Sequence, residues 1–278
     1  MVYILVSLFG LIVGSFMNVF ILRYGTGRGV GGRSKCFSCG HALSFADLVP
    51  LFSYLFLRGR CRYCKSRISP QYFAVELSSA LILLAVAHAI RADLFFGWQQ
   101  LLMLIFASGF FLCLLAISVY DMRHKMIPDG MLLGAGVFAL ANFAVVTSLL
   151  GSENVLLTAI FRLLSGLSLA LPFFLVWFFS KGRWMGFADW KLALVVGLFL
   201  GFDIGLSAVL LAFWIGAFTA VSFIFLGRFD WFSRIMPFVS GLHGKSEMPF
   251  GPFLAMGALM AYYFAIMYGD ILNLFIIM

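Results

Sequence analysis

Residues 98–119 read WQQLLMLIFASGFFLCLLAISV, a stretch of 22 residues that contains no charged side chain. A helix needs about 20 mostly apolar residues to cross a bilayer, so this stretch predicts a transmembrane helix. Similar apolar stretches recur along the chain, and the sixth of them is short and interrupted by Gly197 and Gly201. The sequence therefore predicts eight spans, at residues 2–22, 72–90, 98–119, 128–149, 156–179, 188–202, 205–227 and 251–268.

The composition of the 278 residues supports the same fold class. Hydrophobic residues make up 63% of the chain and charged residues 11%, where soluble domains carry about 25% charged residues. A soluble fold of this size would have to expose much of that apolar surface, and the mean hydropathy is +1.07. These values exclude a soluble enzyme, a disordered chain and a disulfide-stapled secreted domain. They predict an all-α polytopic membrane protein in contact with the lipid bilayer.

The net charge of +8 comes from 19 basic and 11 acidic residues. All the basic residues except Arg91 and Arg162 fall in alternate connecting segments, which are 23–67 and the loops after the third, fifth and seventh spans, or, for Lys191, just inside the sixth span next to such a loop. The positive-inside rule places those segments in the cytoplasm and the N-terminus outside. The positive charge therefore indicates orientation, and it requires no nucleic acid as a partner.

Two Cys-x-x-Cys pairs lie in the polar segment 24–71, between the first span (1–23) and the remaining seven (72–278). Cys36 and Cys39 are separated by 21 residues from Cys61 and Cys64. This spacing is typical of a structural zinc site with four thiolate ligands. Two disulfides or a redox pair are the alternatives, but structural disulfides are rare in the reducing cytoplasm. We therefore predict a small cytoplasmic zinc-binding insert between helices 1 and 2.

Two aspartates lie at the predicted cytoplasmic surface, Asp121 at the end of the third span and Asp189 at the start of the sixth. Two carboxyl groups that approach within a few ångströms cannot both stay ionised, so one can act as acid and the other as base. That is the chemistry of an aspartic protease. The sequence alone does not show that the two side chains meet, and each can also be read as an ordinary interfacial acid. Asp129 follows Pro128 at a probable helix start, where it can act as a cap.

Other catalytic chemistries find little support in the sequence. It contains no Gly-x-Ser-x-Gly elbow and no His-Glu-x-x-His helix, which does not favour a serine or metal protease. The interiors of the predicted spans carry almost no acids, which argues against a proton-coupled transporter.

The chain resembles the type IV prepilin leader peptidase/N-methyltransferase family over nearly its whole length. The resemblance rests on six motifs in order: Gly14–Val19 with Arg23, the two Cys-x-x-Cys pairs, Ser69–Tyr72 with Glu76, Asp121–Asp129, Gly186–Leu192 and Pro249–Ala255. It implies a protease of the Gly-x-Gly-Asp type in the bacterial inner membrane, with Asp121 and Asp189 as the catalytic pair. Prepilins and the pseudopilins of secretion systems are the implied substrates. They are cut on the cytoplasmic side after a glycine and then methylated from S-adenosylmethionine.

The Gly186–Leu192 motif departs from the family pattern, because Ala188 stands where the family has glycine, while Gly186 and Lys191 match it. We expect that the alanine only adds a methyl group and does not force an unusual backbone angle. No residue is assigned to S-adenosylmethionine, since the sequence has no Gly-rich strand–loop–helix unit. A peptidase without methylation, or a zinc-bearing membrane scaffold or transporter, are the other readings. The sequence does not indicate an oligomeric state.

A leader peptide of this family is basic, so acids at the predicted cytoplasmic face are candidates for binding it. We name four of them as a hypothesis: Asp47, Asp129, Asp230 and Glu247.

Overall fold

A computed structural model describes residues 1–27, 29–91, 97–151, 154–226 and 249–276. Within these ranges the chain is helical, and the only β pairing is a pair of isolated bridges in the cysteine segment. The helices are α1 (Val2–Arg23), α2 (Phe52–Phe56), α3 (Gln71–Ala89), α4 (Trp98–His124), α5 (Asp129–Leu150), α6 (Val155–Ser180), α7 (Phe187–Leu200), α8 (Phe202–Leu226) and α9 (Gly251–Ile276).

Seven helices in the described part of the chain are long and apolar enough to cross a membrane, and they coincide with seven of the predicted spans. The remaining prediction, 188–202, corresponds to α7, which has only 14 residues. At 1.5 Å per residue it is about 21 Å long, shorter than the roughly 30 Å hydrocarbon core. The helix ends because Gly201 adopts a left-handed φ of +83°, whereas Gly197 stays helical and does not interrupt it.

The fold consists of two compact units, Met1–Ala116 and Ile117–Met278, and the division falls within α4. The domain boundaries predicted from composition, at residues 23 and 71, follow the change from apolar to polar sequence and stay a prediction.

In the first unit, α1 packs closely on α3 through two glycines one turn apart. A Cβ atom at Gly10 would lie 2.7 Å from Ala80 Cα, and one at Gly14 would lie 2.7 Å from Glu76 Cα. Small residues four apart let two membrane helices approach until their backbones touch. The glycines are therefore required by close helix packing.

Buried polar contacts join the cysteine segment to this helix pair. The buried Glu76 side chain accepts a hydrogen bond from the backbone N–H of Leu51 at 2.8 Å. The Asn18 amide, fully buried in α1, donates to the backbone oxygen of Tyr72 at the start of α3. Both contacts satisfy polar groups that would be costly to leave unpaired in an apolar environment.

In the second unit, α6 and α7 run antiparallel. Near the end of α6 the Trp177 ring lies 4.9 Å from that of Phe187 at the start of α7. Near the beginning of α6 the Arg162 guanidinium reaches the backbone oxygen of Phe199 at the end of α7. The chain then turns back at Gly201 into α8.

The course of α8 follows from its contacts with α6. Gly205 lies against Leu169, and the Phe213 ring stacks 6.2 Å from the ring of Phe173. Residue numbers rise together along both helices, so α8 runs parallel to α6 and antiparallel to α7. The helices α7 and α8 therefore form a hairpin, and its turn lies at the level of Arg162.

Candidate active site and cysteine cluster

Asp121 lies in the last turn of α4, and only 6% of its surface is exposed. Its Oδ2 accepts a hydrogen bond from the backbone N–H of Gly251 at 3.2 Å. Gly251 is the first residue of α9, where the backbone N–H groups have no partner within the helix. One of these free donors therefore orients the Asp121 carboxyl group.

Asp189 is the third residue of α7. Its Oδ2 accepts the backbone N–H of Gly186 at 3.0 Å, so the side chain caps its own helix. The residue is partly buried. The Asp121 carboxyl group thus faces the N-terminus of α9, and that of Asp189 the N-terminus of its own helix, where the helix dipole favours a negative charge.

The structure brings the carboxyl groups of Asp121 and Asp189 within range of direct electrostatic interaction. A negative charge on one carboxyl group makes ionisation of the other less favourable, so the two groups differ in protonation. The pair can then supply both an acid and a base to one reaction.

The backbone around Asp189 accommodates the departure from the family pattern. Ala188 is the second residue of α7 and is not among the non-glycine residues with positive φ. Gly186 has an extended backbone with φ of −67°, and a Cβ atom there would lie 3.2 Å from Asp189 Oδ2. Alanine is thus unstrained at 188, as expected, while glycine at 186 leaves room for the carboxyl group.

Lys191 does not point to the aspartate pair but to the start of α5. Its ammonium group donates to Asp129 Oδ1 at 2.7 Å and lies 4.7 Å from the centre of the Phe187 ring. Asp129 is the first residue of α5, and the N-cap position before it is taken by Pro128. The ion pair links the start of α5 to the N-terminal half of α7.

The two Cys-x-x-Cys pairs form matching turns in the first unit. The N–H of Cys36 donates to His41 O and the N–H of Gly40 to Cys36 O, while Cys61 pairs in the same way with Ser66 and Lys65. Gly40 and Lys65 both have a left-handed φ, of +70° and +59°. In each turn an isolated β-bridge pairs the residue before the first cysteine with the residue six positions after that cysteine. Each turn thereby directs two sulfurs to the same side.

The four sulfurs of these turns form one cluster, in which all the Sγ atoms of Cys36, Cys39, Cys61 and Cys64 lie within 4.8 Å of one another. The Sγ atoms of Cys36 and Cys64 are 3.8 Å apart. A tetrahedral zinc with Zn–S bonds of about 2.3 Å has sulfur–sulfur edges of about 3.8 Å, so the cluster fits this ion.

The thiol acidities in the cluster suit a divalent cation. Backbone N–H groups of Cys39 and Ser38 lower the pKa of Cys36 to about 6. The pKa of Cys39 is raised to about 11, because burial and the sulfurs of Cys36 and Cys64 outweigh the lowering effect of the His41 N–H. A metal dication among the sulfurs removes the repulsion between thiolates that opposes this last ionisation.

The Asp47 carboxylate is a hydrogen-bond acceptor for several residues of the cysteine segment. It accepts hydrogen bonds from the Ser44 N–H and hydroxyl, from Arg62 Nε at 2.6 Å and from the Tyr63 hydroxyl. Although burial raises the pKa of Asp47, the bonds from Arg62 and Ser44 outweigh it and lower the pKa to about 2. Only 2% of this side chain is exposed, so its contacts indicate a structural role rather than leader binding.

The other three acids of the leader hypothesis differ in their surroundings. The Asp129 side chain is 77% exposed even though it pairs with Lys191, so it remains open to a basic peptide. Asp230 and Glu247 lie outside the described residues.

Comparison with known proteins identifies the family. Residues 8–90 match the family described as Bacterial Peptidase A24 N-terminal domain, and residues 108–221 match the Type IV leader peptidase family. A prepilin leader peptidase/N-methyltransferase of Pseudomonas aeruginosa is 31% identical over 290 residues, covering 95% of this chain and 89% of the relative. The chain belongs to the type IV leader peptidase family.

Two further relatives are also prepilin leader peptidase/N-methyltransferases by name. The protein from Aeromonas hydrophila is 29% identical, with 96% of this chain and 90% of the relative covered. The one from Dichelobacter nodosus is 28% identical, with 97% and 94% covered. No solved structure matches the chain significantly.

Two contacts of this leader peptidase were not predicted from its sequence. The Pro249–Ala255 motif was noted only as part of the resemblance, yet Gly251 in it contacts Asp121 across 130 positions of the chain. The proline at 252 was the available signal, because proline favours the first turn of a helix. Nothing in the local sequence indicates the ion pair between Lys191 and Asp129, which are 62 positions apart.

Proposed function

We propose that this protein is a membrane aspartic endopeptidase that cuts the leader from type IV prepilins and pseudopilins. The cut falls on the cytoplasmic side after a glycine, with Asp121 and Asp189 as the catalytic pair. The observation that carries this proposal is the approach of these two carboxyl groups, which come from the end of α4 and the start of α7. Family membership supports the choice of substrate.

In the mechanism, one carboxylate takes a proton from a water molecule, which attacks the scissile carbonyl. The other carboxyl group donates its proton to the carbonyl oxygen. When the tetrahedral intermediate collapses, the first aspartate gives the proton that it took from water to the leaving amine, and the second takes a proton back from a hydroxyl group of the intermediate. The N–H groups of Gly186 and Gly251 orient the two carboxyl groups at distances of 3.0 and 3.2 Å.

The four cysteines are proposed to hold a structural zinc ion. With four thiolate ligands a tetrahedral zinc has no open position for water, so its contribution is to folding. In the described residues between α1 and α3, the only helices are α2, with five residues, and a three-residue 3₁₀ helix, and such a segment has little core of its own. Orientation with this segment and both aspartates in the cytoplasm is supported by the clustering of Arg and Lys residues.

N-methylation of the newly exposed residue is proposed as a second activity, with S-adenosylmethionine as the methyl donor. It is supported by the shared name of the relatives from Pseudomonas aeruginosa and Aeromonas hydrophila, both of which are named as N-methyltransferases. We assign no residue of this chain to that step.

Both activities can be tested on one purified preparation. Incubation with a prepilin is expected to yield a mature chain that begins directly after the leader glycine, as measured by intact mass. Addition of S-adenosylmethionine is expected to increase the mass of that product by about 14 Da, one methylene unit. Cleavage without this mass increase would mean that the protein is a peptidase without methyltransferase activity. A prepilin that stays uncut would contradict the proposed peptidase.

Gly251→Ala is expected to lower kcat by up to about 10²-fold and to leave KM nearly unchanged, because a 1 Å misplacement of a catalytic group has effects of this size. The added Cβ would lie 2.8 Å from Asp121 Oδ2, so the carboxyl group has to move. Initial rates over a range of prepilin concentrations separate kcat from KM.

Gly216→Ala is the matched control for this substitution. Gly216 lies in α8, and a Cβ atom there would contact the ring of Phe253, in α9, at 3.4 Å, which is an ordinary contact distance. It would touch no carboxyl group. Equal activity of the two variants would show that the Gly251 contact does not position Asp121.

A further inference from the structure

Arg162 is a cationic side chain on the membrane-spanning helix α6. It donates from Nη1 to Phe199 O at 3.3 Å, and its guanidinium lies 5.4 Å from the centre of the Phe143 ring. Within the described part of the chain no carboxylate forms an ion pair with it. A guanidinium has five N–H donors, and a charge inside a membrane usually has a partner. Most of its hydrogen-bonding capacity is therefore still available.

The depth of Arg162 places it near the lipid headgroups. Helix α6 has 26 residues, so it is about 39 Å long and exceeds the roughly 30 Å hydrocarbon core at both ends. Arg162 is seven residues after its first residue, or about 10 Å along the axis. That position is a few ångströms inside the core boundary, which a long arginine side chain can bridge.

The hairpin turn between α7 and α8 ends at the same depth. Because α7 stops at Leu200, its last carbonyl groups lie inside the membrane, and Arg162 contacts one of them. A Cβ atom at Gly201 would lie 2.9 Å from Arg162 Nη1, so the turn passes close beside the guanidinium. The short hairpin thereby leaves the charge less covered than a full-length span would.

An apolar groove begins beside this turn. It has a volume of about 590 Å³ and is lined by residues of α6 and the first residue of α8: Phe161, Leu164, Ser165, Leu167, Ser168, Leu171 and Phe202. The hydroxyl groups of Ser165 and Ser168 donate to backbone oxygens of their own helix, so the wall is apolar in effect. Arg162 itself does not line the groove. Phe202, which does, follows Gly201, where a Cβ atom would lie 2.9 Å from Arg162 Nη1, so the groove begins near the guanidinium.

We propose that this surface binds an anionic phospholipid, with the phosphate on Arg162 and one acyl chain in the groove. The charge complementarity between a guanidinium and a phosphate identifies the headgroup, since arginine binds phosphate with two parallel hydrogen bonds. The apolar groove fits an acyl chain, which a free phosphate ion does not have. No catalytic residue takes part, so this site is independent of the proposed peptidase activity.

Native mass spectrometry of the full-length protein in detergent, titrated with phosphatidylglycerol, tests the proposal. Wild-type protein is expected to retain one lipid at low lipid concentration. Arg162→Gln is expected to weaken that binding about fivefold or more, the contribution of one arginine to an anionic lipid surface. Ser168→Phe, which fills the groove and keeps the charge, is expected to weaken it as well. Arg183→Gln removes an exposed loop charge of the same unit and is the charge-matched control.

Separate arms of the experiment distinguish the sources of the phosphate. Inorganic phosphate in place of the lipid is expected to leave the retention of phosphatidylglycerol unchanged, whereas competition at millimolar concentration would mean a site for free phosphate. Equal lipid retention by wild type and Arg162→Gln would overturn the proposal. If Arg162→Gln does not fold, Ser168→Phe provides the test, and its full retention of the lipid would also overturn it.

Discussion

Asp121→Asn and Asp189→Asn are each expected to lower the rate of prepilin cleavage by about 10²- to 10⁴-fold, the range that general acid–base groups contribute. An amide has nearly the size and shape of a carboxyl group, but it neither takes a proton from water nor donates one to the leaving amine. The amide oxygen can still accept the N–H of Gly251 or Gly186, which the carboxyl groups accept in the wild type. The fold should therefore be preserved while the chemistry is lost.

The measurement is the initial rate of leader removal by purified variants, with thermal unfolding as the check on folding. Asp203→Asn is the matched control, because Asp203 is an exposed aspartate in the first turn of α8, in the same unit. It is expected to cleave at the wild-type rate. If either Asp121→Asn or Asp189→Asn cleaved as fast as this control, the aspartic mechanism would be wrong.

The double substitution Cys36→Ser and Cys61→Ser is expected to reduce bound zinc from about one ion per chain to none. It removes one ligand from each turn, and two remaining thiolates cannot complete a tetrahedral site. Because zinc binding to small four-ligand sites contributes about 10–16 kcal/mol, segment 24–71 should unfold when the metal is lost. Elemental analysis measures the zinc, and limited proteolysis measures the exposure of the segment.

Cys113→Ser provides the control for this loss of zinc. Cys113 lies in α4 and does not belong to the sulfur cluster, so the variant should retain its metal and resist proteolysis within residues 24–71. A strong chelator is expected to reproduce the effect of the double substitution on the wild type. Zinc content that is unchanged after Cys36 and Cys61 are both replaced would contradict the four-cysteine site.

The helical architecture was predictable because membrane spans depend on local composition. An apolar stretch of about 20 residues has no alternative to a helix within lipid, since only a helix or closed barrel satisfies its backbone. The bounds predicted for α7, 188–202, differ from the observed Phe187–Leu200 by one or two residues. Composition alone does not give the reason for the end of this helix, which is the positive φ of Gly201.

The cysteine cluster was also predictable from the sequence, for a related reason. Two cysteines that are three positions apart are adjacent in any tight turn, so each pair needs only the left-handed residue that follows it, Gly40 or Lys65. The structural information is therefore contained within a few consecutive residues. Only the approach of the two turns to one another requires the fold of the segment, and Asp47 supports it through Arg62 and Tyr63.

The sequence by itself determined the membrane class, most of the spans, the cysteine pairs and the two aspartates as candidates. Only the tertiary structure decided that Asp121 and Asp189 approach each other, that Gly251 contacts Asp121 and that Lys191 pairs with Asp129. The physical reason is distance along the chain. Neighbouring residues are constrained by local geometry, whereas contacts between residues 62 or 130 positions apart depend on how whole helices pack.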